Sequence, residues 1–396
     1  MIRSIDELSL KQETVLVRVD FNVPMNENRE ITDDLRIRAA LPTIQKVLSE
    51  GGKAVLLSHL GRPKGQRKPE FSLEPVASYL SKLLRTSVNF IPDCIGETVK
   101  AAIDHIDYGE VVLLENLRFY PGEEANDPEF AQALASLGTV YINDAFGTAH
   151  RAHASTVGVP QLMDVKGAGY LLLKEIRYLK EAVDNPAHPF VAIFGGAKIS
   201  GKIELIERFL HRCDQLLIGG GMAFTFFKAL GKEIGKSILE EEKVSLARSL
   251  LEQAEQTPAQ LILPVDVVVA AELSASAETR IVARDHIPAD MMGVDIGPQT
   301  IDLFTSAILS AKTVIWNGPM GVFEIPPFAT GTRAIAEALA KATDNGAITI
   351  VGGGDSAAAI RHFGLDHAVS HVSTGGGASL ALLAGKPLPA LQALEQ

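Results

Sequence analysis

The chain has 396 residues, too many for one ordinary core and suited to two domains of roughly 150–200 residues each. With 46% hydrophobic and 21% charged residues it has the composition of a soluble globular protein. A formal net charge of −11 excludes a general nucleic-acid or lipid-surface binder, so any anion site has to be a local cationic pocket set against the protein's own field.

The opening residues, Met1-Ile2-Arg3-Ser4-Ile5-Asp6-Glu7, carry early acids and no apolar stretch, unlike a secretory signal. No apolar run approaches the ~20 residues of a membrane helix. An apolar run from Val15 ends in Arg18-Val19-Asp20-Phe21-Asn22, and a second from Ala54 ends in Ser58-His59-Leu60-Gly61-Arg62. A third, from Val111, ends in Glu115-Asn116-Leu117-Arg118. A fourth, from Val140, ends in Asn143-Asp144 and leads to His150-Arg151-Ala152-His153. Helical patterns over 41–48, 73–84 and 130–137 fall between these runs. Next come Lys166-Gly167-Ala168-Gly169, a helical pattern over 171–183, and the break Asn185-Pro186-Ala187-His188-Pro189.

From Phe190 onward the apolar runs end in glycine instead: Gly195-Gly196, Gly219-Gly220-Gly221, Gly352-Gly353-Gly354-Asp355 and Gly375-Gly376-Gly377. Helical patterns over 203–210, 243–250 and 332–339 separate them. Apolar strands alternating with helices predict parallel sheets covered on both faces, with ligands at the strands' carboxyl ends. The expected fold is α/β: two doubly wound, Rossmann-like parallel-sheet domains joined by a helix across a cleft. The boundaries read as 1–170, an interdomain helix and linker over 171–188, 189–379, and a tail over 380–396 that returns to the first domain. The two cysteines, Cys94 and Cys213, fit no metal-ligand spacing and read as reduced thiols of a cytoplasmic protein.

Both kinds of strand ending hold anions. Guanidinium forks grip phosphate or carboxylate, and glycine turns present bare N–H groups at a helix start. Gly196-Ala197-Lys198-Ile199-Ser200-Gly201-Lys202 nearly spells a P-loop, but Ile203 replaces the hydroxyl that would hold Mg²⁺. Gly352-Gly353-Gly354-Asp355-Ser356-Ala357 can be forced into a dinucleotide fingerprint, yet no acid follows at the distance a ribose needs, and the dehydrogenase reading fails there. A glycine nest with Asp355 on a phosphate-bridging metal accounts for it better. In Trp316-Asn317-Gly318-Pro319-Met320-Gly321-Val322-Phe323-Glu324, Pro319 and Val322 suit a flat nucleoside and Glu324 suits ribose hydroxyls. A non-enzymatic anion-binding protein is the other alternative, and Lys202 with Asp355 argues against it.

Together these segments resemble phosphoglycerate kinase: R-V-D-F-N-V-P at 18–24, S-H-L-G-R-P at 58–63, E-N-L-R-F at 115–119 and N-D-A-F-G-T-A-H-R-A-H at 143–153. G-G-A-K-I-S-G-K-I at 195–203, W-N-G-P-M-G-V-F-E at 316–324, G-G-G-D-S at 352–356 and S-T-G-G-G-A-S at 373–379 agree as well. The resemblance implies reversible transfer of the acyl phosphate of 1,3-bisphosphoglycerate to Mg-ADP, giving 3-phosphoglycerate and ATP. It implies a monomer that uses Mg²⁺ and closes its domains in a hinge, for which Gly167-Ala168-Gly169 and Asn185-Pro186 are suited. It places Arg62, Arg118, Arg151 and His59 at the glycerate's phosphate and Asp20 and Asn22 at its hydroxyl end, with Phe21, Leu60 and Gly61 completing the pocket. Arg36 would face the reacting carboxylate. Lys198 and Lys202 would contact nucleotide phosphates, Gly293, Pro319 and Val322 would frame the nucleoside, and Glu324 would hold the ribose. Gly353, Gly354, Asp355 and Ser356 would carry phosphates and metal, with Arg36, Lys202, Gly353 and Gly376 as the catalytic set.

Overall fold

The computed structural model describes residues 1–395. Contacts divide the chain into two compact units: Met1–Arg177 together with the residues from Lys386 on, and Tyr178–Gly385. The chain leaves the first unit within a helical stretch built from Tyr170–Ile176, a π-type turn at Arg177–Glu181 and a last turn at Ala182–Asp184. Residues 380–385 stay with the second unit, because the helix Gly377–Leu383 belongs to it. Beyond them, Ala390 N–H donates to the Ala149 carbonyl at 3.2 Å, which ties the C-terminal segment to the first unit. Among the described residues no helix is long and apolar enough to cross a membrane.

The first unit is a six-stranded parallel sheet: β1 (Thr14–Val19), β2 (Lys53–Leu57), β3 (Val88–Ile91), β4 (Val111–Leu114), β5 (Val140–Asp144) and β6 (Lys166–Ala168), in the order β3-β4-β2-β1-β5-β6. Val15, Val17, Val19, Leu56, Leu113 and Ile142 are buried in its core. Each such side chain contributes roughly 1.5–3 kcal/mol by leaving water. The order reverses around β1, so the ends of β1, β2, β4 and β5 open onto one switch point, where such folds bind ligands.

The second unit holds β7 (Phe190–Phe194), β8 (Gln215–Ile218), β9 (Gln260–Ile262), β10 (Asp266–Ala270), β11 (Thr279–Ala283), β12 (Met292–Ile296), β13 (Thr313–Asn317), β14 (Ile348–Gly352) and β15 (His371–Val372). Six of these form a parallel sheet in the order β15-β14-β13-β7-β8-β9, again reversing at its centre. Trp316 is fully buried in the core, and its indole N–H donates to the Gly318 carbonyl at 2.7 Å, fixing the turn that follows β13. A three-stranded antiparallel sheet, β11-β10-β12, adds to the two parallel ones that the strand–helix alternation predicts. The connection from Ala270 to Thr279 is too short for a helical crossover, so these strands pair as neighbours.

Candidate active site

At the strand ends of the first unit, arginines converge, two of them in ion-pair contact with acids. Arg36, in the first turn of the helix Leu35–Ser49, lies 3.3 Å from the Asp20 carboxylate and donates to the Asn22 carbonyl at 2.8 Å. The Asn22 side chain accepts from Gly61 N–H at 2.9 Å, which couples the end of β1 to the turn after β2. Arg118 is 3% exposed and donates to the Gly61 carbonyl at 2.8 Å. Its Nε and second terminal nitrogen make no hydrogen bond, although Nε sits 3.4 Å from Glu124 in ion-pair geometry. A buried guanidinium with unspent donors is built to receive an anion.

Burial, with Glu124 opposing and Arg18 and Arg151 assisting, lowers the Arg118 pKa from its ordinary value. Arg151 donates to the His150 ring at 3.3 Å, and Arg62 is exposed. Burial, then Arg118, Arg18, Arg151 and His150, hold His153 down at about 4, so it is neutral at physiological pH. His59 is buried and likewise pushed well below the ordinary histidine range by burial, then by Arg18, Arg118, Arg36 and His153.

The Phe21 and Leu60 side chains are both buried in the hydrophobic core. These residues offer the site only backbone. Phe21 N–H is itself taken by the Ser58 hydroxyl at 2.9 Å, and the Leu60 carbonyl by Asn116 at 2.7 Å.

In the second unit a cavity of about 340 Å³ is lined by Gly293, Pro319, Val322, Glu324 and Asp355 together with Phe224. That size suits a nucleoside. Glycine is required at 293, where a Cβ would collide with the Phe224 ring; that ring forms a flat apolar wall. Lys202, beside this cavity, donates to the carbonyls of Gly195 at 2.5 Å and Asn317 at 2.9 Å. Burial lowers its pKa to about 8, with Asp355 pulling the other way. Lys198 is exposed. The Glu240 carboxylate accepts from the backbone N–H groups of Ile199 at 2.6 Å and Ser200 at 3.1 Å, holding this loop.

Gly353 takes φ 89°, and a side chain there would meet the Asn317 amide, so the turn after β14 needs glycine. The Ser356 hydroxyl is buried and accepts from Gly318 N–H at 2.5 Å; it braces the turn instead of facing a ligand. Gly354 and Asp355 are exposed in the first turn of the helix Gly354–His362. Gly376 (φ 48°) precedes the helix Gly377–Leu383 and does not line the cavity.

Two groups that sequence reasoning leaves without a role stand out. The Asn317 amide nitrogen is buried without a hydrogen-bond partner under the Gly352-Gly353 turn. Arg18 is fully buried within β1. In each case the signal is a polar residue closing or interrupting an otherwise apolar strand. Among the described residues no cluster of three or more His, Cys, Asp or Glu could hold a metal by itself. A single exposed carboxylate such as Asp355 fits a cation that arrives with phosphate oxygens as its other ligands.

The family model described as phosphoglycerate kinase matches residues 5–386. The chain belongs to the phosphoglycerate kinase family. It is similar to the phosphoglycerate kinases of Chlorobium phaeobacteroides and Chlorobaculum tepidum, each 57% identical over 392 residues and covering 99% of both chains. Among solved structures, phosphoglycerate kinase from Coxiella burnetii superimposes with a TM-score of 0.90 at 44% identity, covering 100% of this chain and 98% of the other. The Pyrococcus horikoshii phosphoglycerate kinase gives 0.86 at 32% identity with the same coverage. The dehydrogenase and non-enzymatic readings are not favoured by this membership.

Proposed function

We propose that the protein catalyses reversible transfer of the acyl phosphate of 1,3-bisphosphoglycerate to Mg-ADP, giving 3-phosphoglycerate and ATP. The observation that carries this is a buried arginine, Arg118, with unspent donors at one sheet's switch point, together with a nucleoside-sized cavity beside a half-buried lysine at the other's. Arg62, Arg118 and Arg151, with His59, bind the glycerate's phosphate. Asp20 and Asn22 bind its hydroxyl end, the backbone at Phe21, Leu60 and Gly61 shapes the pocket, and Arg36 faces the carboxylate. The cavity takes the nucleoside between Gly293, Pro319 and Val322, with Glu324 at the ribose. Lys198, Lys202, Asn317 and the Gly353-Gly354 turn hold phosphates, Ser356 braces that turn, and Gly376 serves the transferred group. Asp355 would hold Mg²⁺, which supplies neutralisation of phosphate charge.

In the direction of ATP formation, a terminal oxygen of ADP attacks the acyl phosphorus and the C1 carboxylate leaves. Neither nucleophile nor leaving group needs a proton moved, so no general base is required. Lys202 and Arg36 stabilise the charge in flight. The reacting atoms must come within roughly 3–3.5 Å, the step we assign to domain closure. We read the protein as a monomer, as the family resemblance implies. Cys94 and Cys213 are both buried and unpaired, which supports the cytoplasm as its compartment.

The test couples ATP and 3-phosphoglycerate to NADH oxidation through an added dehydrogenase that consumes 1,3-bisphosphoglycerate. Turnover dependent on both substrates is expected, and its absence in folded protein refutes the assignment.

A further inference from the structure

Arg18 is a charge placed inside a strand of valines and leucines, fully buried and held on every side. Its Nε donates to the Ser155 hydroxyl at 2.8 Å, and one terminal nitrogen donates to the Val19 carbonyl. The other terminal nitrogen lies 3.2 Å from Nδ1 of His59. Ser155 is itself fixed by Glu123, another fully buried ionisable side chain: its hydroxyl donates to one carboxyl oxygen at 2.6 Å and its N–H to the other at 2.9 Å. From β5, the Tyr141 hydroxyl donates to the Ser155 carbonyl at 2.7 Å.

A buried ion network of this kind is a weak source of stability, because desolvation offsets much of the attraction. Its geometry, however, has a chemical consequence. A guanidinium has donors only, so the ring nitrogen facing it must accept. With Nδ1 of His59 accepting, the single proton of the neutral ring is on Nε2.

We propose that Arg18 is a positioning residue for the phosphoglycerate site, anchored by Glu123 through Ser155, which fixes His59 as a neutral imidazole presenting Nε2–H as a donor to the anionic substrate. The proposal rests on the reading that His59 lies at that substrate. The groups that act most on the ring are Arg18 of β1, Arg118 after β4, Arg36 of the helix Leu35–Ser49 and His153 after β5, with the Glu123 carboxyl one hydrogen-bonded step behind Arg18. The three arginines are cations and His153 is neutral, so a second proton on His59 is opposed from β1, from the turn after β4 and from the helix Leu35–Ser49. The site thereby keeps a hydrogen-bond donor whose state does not follow pH through the range where free histidine titrates.

The experiment is long-range proton–nitrogen correlation NMR on the full chain labelled with [¹⁵N]histidine, with the His59 ring identified by its loss in His59→Gln. The expected result is Nε2 protonated and Nδ1 unprotonated, unchanged between about pH 6 and 8. In Arg18→Met, and in the milder Ser155→Ala should the first fail to fold, His59 should show mixed tautomers and begin to titrate. KM for 3-phosphoglycerate should rise about tenfold, the loss of one charge-assisted contact, with KM for ATP unchanged. A wild-type His59 protonated on Nδ1, or titrating like a free histidine, overturns the proposal, as does a Ser155→Ala spectrum identical to wild type. Adding 3-phosphoglycerate should shift the Nε2 signal. A correct tautomer with no such shift strikes the substrate-site reading, and with it the proposal, in a way distinct from a wrong tautomer.

Discussion

The hydroxyl of Ser356 accepts a hydrogen bond from the backbone N–H of Gly318 at 2.5 Å. This joins the glycine turn after β14 to the glycine turn after β13, the same turn whose Asn317 carbonyl receives Lys202 at 2.9 Å. Ser356→Ala leaves a buried N–H unpaired, which costs about 1–3 kcal/mol. Urea unfolding should show that loss, and KM for ATP should rise because the turn is no longer braced. An unchanged midpoint and KM would show that the bond is dispensable.

Arg36 is pinned by Asp20 at 3.3 Å and the Asn22 carbonyl at 2.8 Å. If it stabilises the phosphoryl group in flight, Arg36→Ala lowers kcat by about 10²–10³ and leaves KM for ATP near its wild-type value. Normal kcat with only a raised KM for 3-phosphoglycerate would reduce Arg36 to a binding residue.

Lys202 gives a trade between activity and stability. Its folded-state pKa is about 8, depressed by burial from the 10.5 of a free lysine. Protonation therefore favours the unfolded chain: the contribution is unfavourable below about pH 8 and disappears as pH rises toward the ordinary lysine value. Lys202→Met should raise stability at neutral pH by roughly 1–2 kcal/mol, with the gain shrinking toward alkaline pH, while kcat falls by about 10²–10³. Thermal melts across pH read the first effect and steady-state kinetics the second. A variant less stable than wild type at pH 7 contradicts the argument.

If Asp355 holds the metal, Asp355→Asn should weaken use of the Mg-nucleotide, with partial recovery as Mg²⁺ is raised. Titrating activity against Mg²⁺ at fixed ATP checks this. Superimposable curves for variant and wild type would remove Asp355 from the metal.

Asp144 is buried at the end of β5, with one oxygen accepting from Leu172 N–H at 3.2 Å and the other without a hydrogen-bond partner. Burial raises its pKa to about 7, against hydrogen bonds from Thr43 and the backbone of Leu172 and Leu171. Below the unfolded value near 4 both states are protonated and the group is neutral to stability. Between about pH 4 and 7 the unfolded chain releases its proton first, so stability falls. Asp144→Asn should be more stable than wild type by about 1–3 kcal/mol at pH 8 and indistinguishable near pH 4. Chemical denaturation at the two pH values decides it, and a constant difference at both would refute the linkage.

The sequence by itself determined the α/β class, the family and nearly every strand ending that carries chemistry. These are local properties: a Val/Ile/Leu run sets a buried parallel strand, and the arginine or glycine following it falls at the carboxyl end whatever the sheet order. The antiparallel sheet that brings Gly293 into the cavity was beyond its reach, because pairing between β10, β11 and β12 is a non-local matter. So was the direction each side chain takes. Phe21 and Leu60 sit inside the substrate motifs yet point into the core, and Ser356 spends its hydroxyl on Gly318. Arg18 lies in the same motif as Asp20, but its meeting with Ser155, 137 positions away, and with His59, 41 away, exists only once β1, β2 and β5 are aligned. Sequence spacing fixes which residues reach a strand end. Burial and hydrogen-bond partners decide what each can do there, and these come from elements distant in the chain.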